Sequence, residues 1–236
     1  MKKIQLALIA MIVITTTANS QTSIERINIK GGSSAWDNFY KEIYRYPGFQ
    51  TGIVEYKNGK RSKGSLNYNK VLGTIQFISE KGDTLSLSEE ETIAKVTIDN
   101  DVFYYSPYAE PPTCLQEVKA APKLKLVKSE RLRIADKQKI GGLGIANSTG
   151  TIESIDRLDT KANYNQVDIN ENLLLSKTTN FYLETSRKDL VPASRKNVLS
   201  LFPKHENAIR EYIKAKQIDF TKEDDLAALT DYLSLL

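Results

Sequence analysis

TGIVEYKNGKRSKGSLNYN, residues 51–69, is the stretch that decides the fold. Apolar and polar residues alternate from Thr51 to Tyr56, which is typical of a β-strand with one buried face. Asn58-Gly59 follows, and both residues tolerate the positive φ angles of a tight hairpin turn. The chain then returns from Ser65 to Asn69 as a second strand. The stretch therefore predicts an antiparallel β-hairpin.

The same pattern continues after this hairpin. The strand-like runs and the turns between them are 74–78, Glu80–Asp83, 84–87, 92–98, Asp99–Asp101 and 102–105. Strands that recur about every ten residues, with turn residues between them, indicate an antiparallel sheet. Residues 49–106 are therefore predicted to form a β-meander.

Beyond this meander the pattern is less regular. Cys114 follows Pro111-Pro112-Thr113, so we expect it in a loop. Residues 124–127 and 132–134 are each strand-like, and residues 172–182 are expected to hold a further pair of strands.

The last fifty or so residues change to helical spacing. Pro192 suits the first turn of one helix, and Pro203 suits the start of the next. Thr221 can cap a last helix with an apolar stripe that includes Leu226. The predicted fold class is therefore α+β, with a mostly antiparallel β-rich domain over residues 21–186 and a helical tail over residues 187–236 packed on it.

An aromatic segment precedes the meander. Trp36, Phe39, Tyr40, Ile43 and Tyr44 recur at helical spacing within residues 22–48. That spacing is what packing onto a core demands. The aromatic rings of this segment, above all those of Trp36, Tyr40 and Tyr44, are also candidates for a platform on which a sugar stacks. Core packing and sugar stacking both remain open.

Residues 1–20 have the pattern of a cleavable signal peptide. Lys2 and Lys3 precede an apolar run from Ile4 to Ile14, and Ala18-Asn19-Ser20 supplies small residues before a cleavage site at Gln21. The run is too short to span a hydrocarbon core, which needs about 20 residues. We therefore expect an extracytoplasmic protein in the periplasm, at the outer-membrane periphery or secreted, with no transmembrane segment after cleavage.

The composition narrows the possible chemistry. Cys114 is the single cysteine and His205 the single histidine, so the sequence predicts no disulfide framework, no metal site and no cofactor. Removing Lys2 and Lys3 lowers the net charge from +4 to +2, which favours no particular partner, and nucleic acid is not expected. Glu89-Glu90-Glu91 is expected to be a solvated turn.

Basic residues are concentrated in residues 119–139. The stretch contains eight lysines and arginines against Glu130 and Asp136. It is either the solvated edge of a sheet, where lysine discourages aggregation, or a face that meets an anionic glycan or lipid surface. In the second case Lys125, Arg131 and Arg133 are the candidate ligand-binding residues.

Two further features bear on function. Asp83-Thr84-Leu85 is similar to the short acceptor sequence of bacterial O-glycosylation, so Thr84 is a candidate modification site. A glycoside hydrolase needs two carboxyl groups about 5–10 Å apart across a cleft, and the spacing of the acids in the sequence does not pair them.

Several short motifs together carry a family resemblance. They are Leu66–Asn69, Phe77-Ile78, Lys81–Leu85, Phe103–Tyr105, Leu201–Lys204, Tyr212-Ile213, Ile218–Phe220 and Asp225-Leu226. Through them, nearly the whole mature chain resembles a family of exported proteins from Bacteroidota. The resemblance implies a lineage and an extracytoplasmic location, and it supplies no catalytic residue.

The sequence thus favours a non-catalytic interaction or binding module of the cell envelope, with an envelope protein or an anionic surface as partner. The alternative is an extracytoplasmic hydrolase that acts on glycan through paired carboxylates.

Overall fold

The structure is a computed structural model that describes residues 22–32, 34–140, 146–148, 171–187 and 189–236. Within these ranges the side chains of Trp36 and of residues 137–140, 146–148 and 171 are not described. The predicted signal peptide, residues 1–20, lies outside the described residues.

The described strands form one antiparallel sheet. The strands are β1 Thr22–Ile29, β2 Gln50–Tyr56, β3 Arg61–Asn69, β4 Thr74–Ile78, β5 Thr84–Ser86, β6 Ile93–Ile98, β7 Asp101–Ser106, β8 Thr113–Ala120, β9 Leu124–Ile140, β10 Ala146–Ser148, β11 Glu171–Thr185 and β12 Leu190–Pro192. Their order in the sheet is β1-β11-β9-β8-β7-β6-β2-β3-β4-β5, with β10 paired to β9 and β12 paired to β11.

The predicted hairpins of residues 49–106 are present, but they do not form one continuous meander. Strands β2 to β5 follow one another outward, and the chain then returns so that β6 pairs with β2, with Val54 opposite Val96. A second series of hairpins runs outward from β6 to β9 on the other side. The sheet therefore consists of two meanders that share the β2–β6 pair.

Beyond residue 106, two predictions were wrong and one is confirmed. Cys114 lies in β8 and is buried, because the prolines that precede it form the turn before that strand. The strand-like runs 124–127 and 132–134 are confirmed, and both belong to the long strand β9. Residues 172–182 do not form a pair of strands, because they belong to the single strand β11. Polar residues near the middle of β11 give its sequence the pattern of two short strands.

The helices are α1 Ala35–Ile43, α2 Arg195–Leu201, α3 Glu206–Lys216 and α4 Glu223–Ser234. The helical tail is present, but two of its predicted starts were misplaced. Pro192 ends β12, and α2 begins after Ser194, whose hydroxyl accepts a hydrogen bond from the Asn197 amide. Thr221 does not cap α4, since its hydroxyl instead donates to Asp219.

Strand β9 lies inside the sheet and carries most of the basic stretch. It pairs with β8 on one side and with β11 on the other, so the expectation of a solvated edge was wrong. Every second residue of a strand faces the same side. On that side Leu124 and Leu126 pack under the tail helices, Leu132 packs under α1, and Lys128 and Glu130 lie between the two apolar clusters.

The turn between β3 and β4 closes a gap between β8 and β9. Strands β8 and β9 pair only from Gln116 of β8 onward, so backbone N–H and C=O groups before that point have no partner in the other strand. The Gly73 carbonyl accepts a hydrogen bond from the Cys114 amide at 2.8 Å, and the Lys70 carbonyl accepts one from the Leu132 amide at 2.9 Å. The turn therefore joins the first meander to the second and satisfies buried backbone groups.

Candidate functional site

A groove of about 370 Å³ lies where β6 begins, β7 ends and the β7–β8 turn follows. We call it the tyrosine groove, because Tyr104, Tyr105 and Tyr108 line it. Its other lining residues are Lys57, Glu90, Glu91, Ile93, Ala94, Ser106, Pro107, Leu115, Val127, Glu184 and Leu190. The volume falls within the ~300–1,000 Å³ that small-molecule sites usually have.

The register of the strands builds the floor of this groove. Tyr104 pairs directly with Leu115, and Val127 pairs directly with Tyr182. Directly paired residues of antiparallel strands share one face of the sheet, so the Tyr104 ring stands beside apolar side chains of β8 and β9. Tyr108 follows in the turn and is 79% exposed. An aromatic ring left so exposed at the mouth of an apolar hollow is available for contact with a ligand.

A lysine occupies one side of the Tyr104 ring. The Lys125 ammonium lies 4.2 Å from the ring centroid and 3.3 Å from the Glu117 carboxylate, to which the Tyr104 hydroxyl also donates at 2.8 Å. Burial alone would lower the pKa of Lys125, but the contacts with Tyr104 and Glu117 outweigh it and raise the pKa. The predicted ligand-binding residue Lys125 therefore adjoins the groove and supports one of its tyrosines.

Glu90 shows that the acidic run at residues 89–91 is more than a solvated turn. Its carboxylate accepts hydrogen bonds from the Thr74 hydroxyl and, at 3.7 Å, from the Cys114 thiol. Burial and the nearby charges of Glu90 and Glu91 raise the pKa of Tyr105. Burial first, and then the charge of Glu90, raises the pKa of Cys114 far above its ordinary value, so this thiol remains protonated.

The aromatic segment packs on the core in the structure. Phe39 and Ile43 are each 1% exposed. Tyr44 is buried, and its hydroxyl donates to the Gln76 side chain at 2.7 Å. Tyr40 is half-buried beside Tyr44, and the Trp36 side chain lies outside the described part of the chain. Tyr40 and Tyr44 are thus placed in a core contact and not in the tyrosine groove.

The basic candidates do not gather on one open surface. The Arg131 guanidinium donates to the Leu72 carbonyl at 2.7 Å, inside the β3–β4 turn. Lys128 is 8% exposed, and its ammonium lies 2.6 Å from the Glu223 carboxylate of α4. Arg133 is exposed. Most of these charges are therefore used inside the fold, although Arg133 keeps its side chain in solvent.

Thr84 and His205 lie away from the tyrosine groove. Thr84 is exposed at the start of β5, at one edge of the described sheet, so a modifying enzyme can reach it. His205 ends the single-turn helix Pro203–His205 in the tail. A second, open hollow of about 530 Å³ lies beside α3, where Arg195, Arg210 and Lys214 line it with few apolar side chains.

Asp101 and Glu130 are brought together by Arg45. The Arg45 guanidinium lies 2.8 Å from the Asp101 carboxylate and 3.0 Å from that of Glu130, and the Tyr46 hydroxyl also donates to Asp101. Burial alone would raise the pKa of Asp101, but the hydrogen bonds from Arg45 and Tyr46 and the charge of Arg45 lower it. A general acid for glycoside hydrolysis needs a raised pKa, so this pair serves as a structural tie.

This tie gives a pH-dependent prediction. Because the folded pKa of Asp101 lies below its ordinary value of 3.8, its contribution to stability is present above that value and is lost as pH falls through the folded pKa. We expect Asp101→Asn to lower the free energy of unfolding by about 1–2 kcal/mol at neutral pH and by less at about pH 3. Urea unfolding at both pH values measures the difference.

Asp99→Asn is the control for that experiment, since Asp99 is an exposed turn residue two positions away. If Asp101→Asn lowers the free energy of unfolding equally at both pH values, the result would contradict the stabilising role of the contacts between Asp101, Arg45 and Tyr46.

The tyrosine groove is not apparent from the sequence, although the sequence contains one signal for it. Tyr104, Tyr105 and Tyr108 are three tyrosines within five residues. The groove's other walls come from residues as distant as Lys57 and Leu190, which only the sheet topology brings together.

No helix among the described residues is long and apolar enough to cross a membrane. In the same part of the chain, no group of three or more His, Cys, Asp or Glu side chains could hold a metal ion. Comparison of the chain with protein-family models, curated proteins and solved structures found no match.

Proposed function

We propose that the protein is an exported cell-envelope module that binds carbohydrate in the tyrosine groove. The observation that carries the proposal is the groove itself, whose volume suits a small ligand and whose lining combines tyrosine and glutamate residues with apolar residues such as Leu115, Val127 and Leu190. Tyrosine offers a flat apolar face and a polar tip. A sugar ring has the complementary surface, with apolar C–H faces and hydroxyl groups around its rim.

The compartment in this proposal rests on the first twenty residues and on the family resemblance to exported Bacteroidota proteins. An exported protein meets polysaccharides of the envelope directly, which fits a carbohydrate ligand. Arg133 and the rest of the basic stretch remain a candidate contact for an anionic glycan or lipid, and Thr84 remains a candidate modification site.

One observation keeps the hydrolase alternative open. Glu90 and Glu91 come from the segment before β6, whereas Glu184 comes from β11, so acids from two separate elements line the same groove. If the protein is a hydrolase, Glu184→Gln and Glu90→Gln will each abolish release of reducing sugar from a bound glycan. A pure binding module will release none in any variant.

The binding proposal makes a prediction for Tyr108. We expect the mature chain, residues 21–236, to be retained on at least one member of a panel of immobilised hexasaccharides that includes cello-, malto-, xylo- and chito-oligosaccharides. Tyr108→Ala should weaken that binding about tenfold or more, since truncating an aromatic side chain that the bound ligand covers often costs that much. Affinity chromatography followed by calorimetric titration measures the change.

Leu235→Ala is the matched control, because Leu235 is equally exposed, at 83%, but lies at the C-terminus. Retention on none of the sugars, or equal affinities for Tyr108→Ala and the control, would contradict the proposal.

A further inference from the structure

We infer that one face of the β1, β11 and β9 strands contacts the phosphate headgroups of an anionic lipid surface through Arg26 and Arg133. Part of the basic stretch lies on this face, and both a glycan and a lipid surface are candidate partners for that stretch. The inference chooses the lipid. It does not depend on carbohydrate binding in the tyrosine groove, which the two arginines do not line.

The register of the three strands places the two arginines in one row. Arg26 of β1 pairs directly with Ser176 of β11, and Ser176 pairs directly with Arg133 of β9. Directly paired residues of antiparallel strands share one face of the sheet. Neighbouring strands lie about 4.8 Å apart, so the Cα atoms of the two arginines are roughly 10 Å apart. Two arginine side chains can therefore approach one phosphate group above the serine from opposite sides.

This row lies on the face of the sheet opposite α1. Ile27 and Leu175, the next residues along β1 and β11, pack with the core beneath α1. Successive residues of a strand point to opposite faces, so the arginine row points away from that core. Arg26 and Arg133 are both exposed, and Ser176 is half-buried. A ligand can therefore reach both guanidinium groups from solvent.

Neither arginine is neutralised within the described part of the chain. On the opposite face of the same strands, the Lys177 ammonium lies 2.5 Å from the Glu25 carboxylate. No described residue forms such an ion pair with Arg26 or Arg133. Arginine binds phosphate through two parallel hydrogen bonds, and both guanidinium groups keep their donors for such a ligand.

The charges on this face leave it positive. The rows that β1, β11 and β9 form here are Thr22, Asn180 and Ser129; Ile24, Thr178 and Arg131; Arg26, Ser176 and Arg133; and Asn28, Leu174 and Asp136. They contain three arginines and one carboxylate. Arg131 already binds the Leu72 carbonyl, and Asp136 is engaged in a contact of its own. A surface with an excess of positive charge attracts anionic ligands.

An exposed isoleucine beside the arginines favours a lipid surface over other anionic ligands. Ile24 lies in the adjacent row, opposite Thr178, and is 62% exposed. A membrane surface accepts apolar side chains at its acyl boundary while its headgroups attract nearby cations. Free phosphate and a soluble polysaccharide offer no such apolar region, so a lipid surface is the ligand that uses Ile24 and the arginines together.

Vesicle sedimentation of residues 21–236 tests the inference. We expect binding to phosphatidylglycerol vesicles and none to neutral phosphatidylcholine vesicles. Binding should fall as salt is raised to about 0.5 M, because screening weakens exposed charge contacts. An arginine near an anionic membrane is worth about fivefold in affinity, so Arg26→Gln combined with Arg133→Gln should weaken binding about twenty- to thirtyfold. Ile24→Thr keeps a β-branched residue and should weaken it about threefold.

Lys60→Gln combined with Lys63→Gln is the matched control. Both lysines are exposed, at the β2–β3 turn and on β3, and their replacement removes the same charge from another part of the sheet. We expect this control to bind the vesicles within about twofold of the unaltered protein, since its charges lie outside the contact. Equal losses for the two double variants would show that net charge alone governs binding, which would overturn the inference.

Three other outcomes would also overturn the lipid contact. One is no binding to phosphatidylglycerol vesicles. Another is retention on polygalacturonate that the double arginine variant loses, without vesicle binding, since the ligand would then be an anionic glycan. The third is release from vesicles by inorganic phosphate at an ionic strength where chloride releases none. Each result leaves the tyrosine groove to be judged by its own sugar panel, because the two arginines lie outside it.

Discussion

Gly73→Ala is expected to lower the free energy of unfolding by about 2–5 kcal/mol. Gly73 has a φ of +71°, and a Cβ atom there would lie 1.7 Å from Nη1 of Arg131 and 2.4 Å from the Thr113 hydroxyl. The Arg131 side chain cannot simply move aside, because it donates to the Leu72 carbonyl. The substitution therefore forces the β3–β4 turn out of the gap between β8 and β9. Chemical denaturation of the purified variant measures the loss.

Gly59→Ala separates backbone strain from this clash. Gly59 also has a positive φ, +82°, but a Cβ atom there meets nothing within 4 Å. We expect this control to lose only about 1 kcal/mol, the usual penalty for a left-handed non-glycine residue. Equal losses of unfolding free energy for the two variants would contradict the placement of the β3–β4 turn in the gap between β8 and β9.

Phe39→Ala is expected to lower the free energy of unfolding by about 3–5 kcal/mol. The Phe39 ring is 1% exposed and packs with Leu132 and Leu175 beneath α1, so its removal leaves a cavity. The result bears on the aromatic segment directly, because a ring on a free sugar-stacking platform would cost almost nothing to remove. Thermal and urea unfolding measure the loss.

Lys41→Ala is the control on the same helix, since Lys41 is exposed and alanine favours helix. We expect it to change stability by no more than about 0.5 kcal/mol. A similarly small change for Phe39→Ala would show that α1 is not part of the core.

Local patterns predicted the hairpins well and the long strands poorly. The alternation and the Asn58-Gly59 turn indicate β2 and β3 because a hairpin depends on neighbouring residues alone. Strand β9 carries Lys128 and Glu130 on a buried face, and their partners Glu223 and Arg45 lie 95 and 85 residues away. A sequence cannot show that such charges are paired, so the strand-like runs 124–127 and 132–134 stop on either side of them.

The same limit applies to buried amides. Asn67 and Asn69 are fully buried, although asparagine usually marks turns. The Asn67 side chain binds the backbone of Tyr46, and the Asn69 side chain donates to Gln76 on β4. These contacts explain why the Leu66–Asn69 motif holds two polar residues within a strand, and they depend on a pairing that forms only in the folded protein.

The tyrosine groove was beyond local patterns for a similar reason. The prediction that Tyr104 and Tyr105 lie in a strand is confirmed, but it does not show which face of that strand another element of the fold covers. Leu190 and Glu184 reach the groove because β11 and β12 pair with each other. Among the candidate ligand-binding residues predicted from the sequence, Lys125 lies next to the groove.

The most direct test of the central claim, carbohydrate binding in the tyrosine groove, is a two-dimensional amide NMR titration of ¹⁵N-labelled residues 21–236 with each hexasaccharide of the panel. We expect the shifted amides to cluster at Glu90–Ala94, Tyr104–Tyr108, Leu115 and Leu190, with α1 and the hollow beside α3 unaffected. Shifts centred on α1, on Arg133 or beside α3, or no shifts at millimolar sugar, would contradict it.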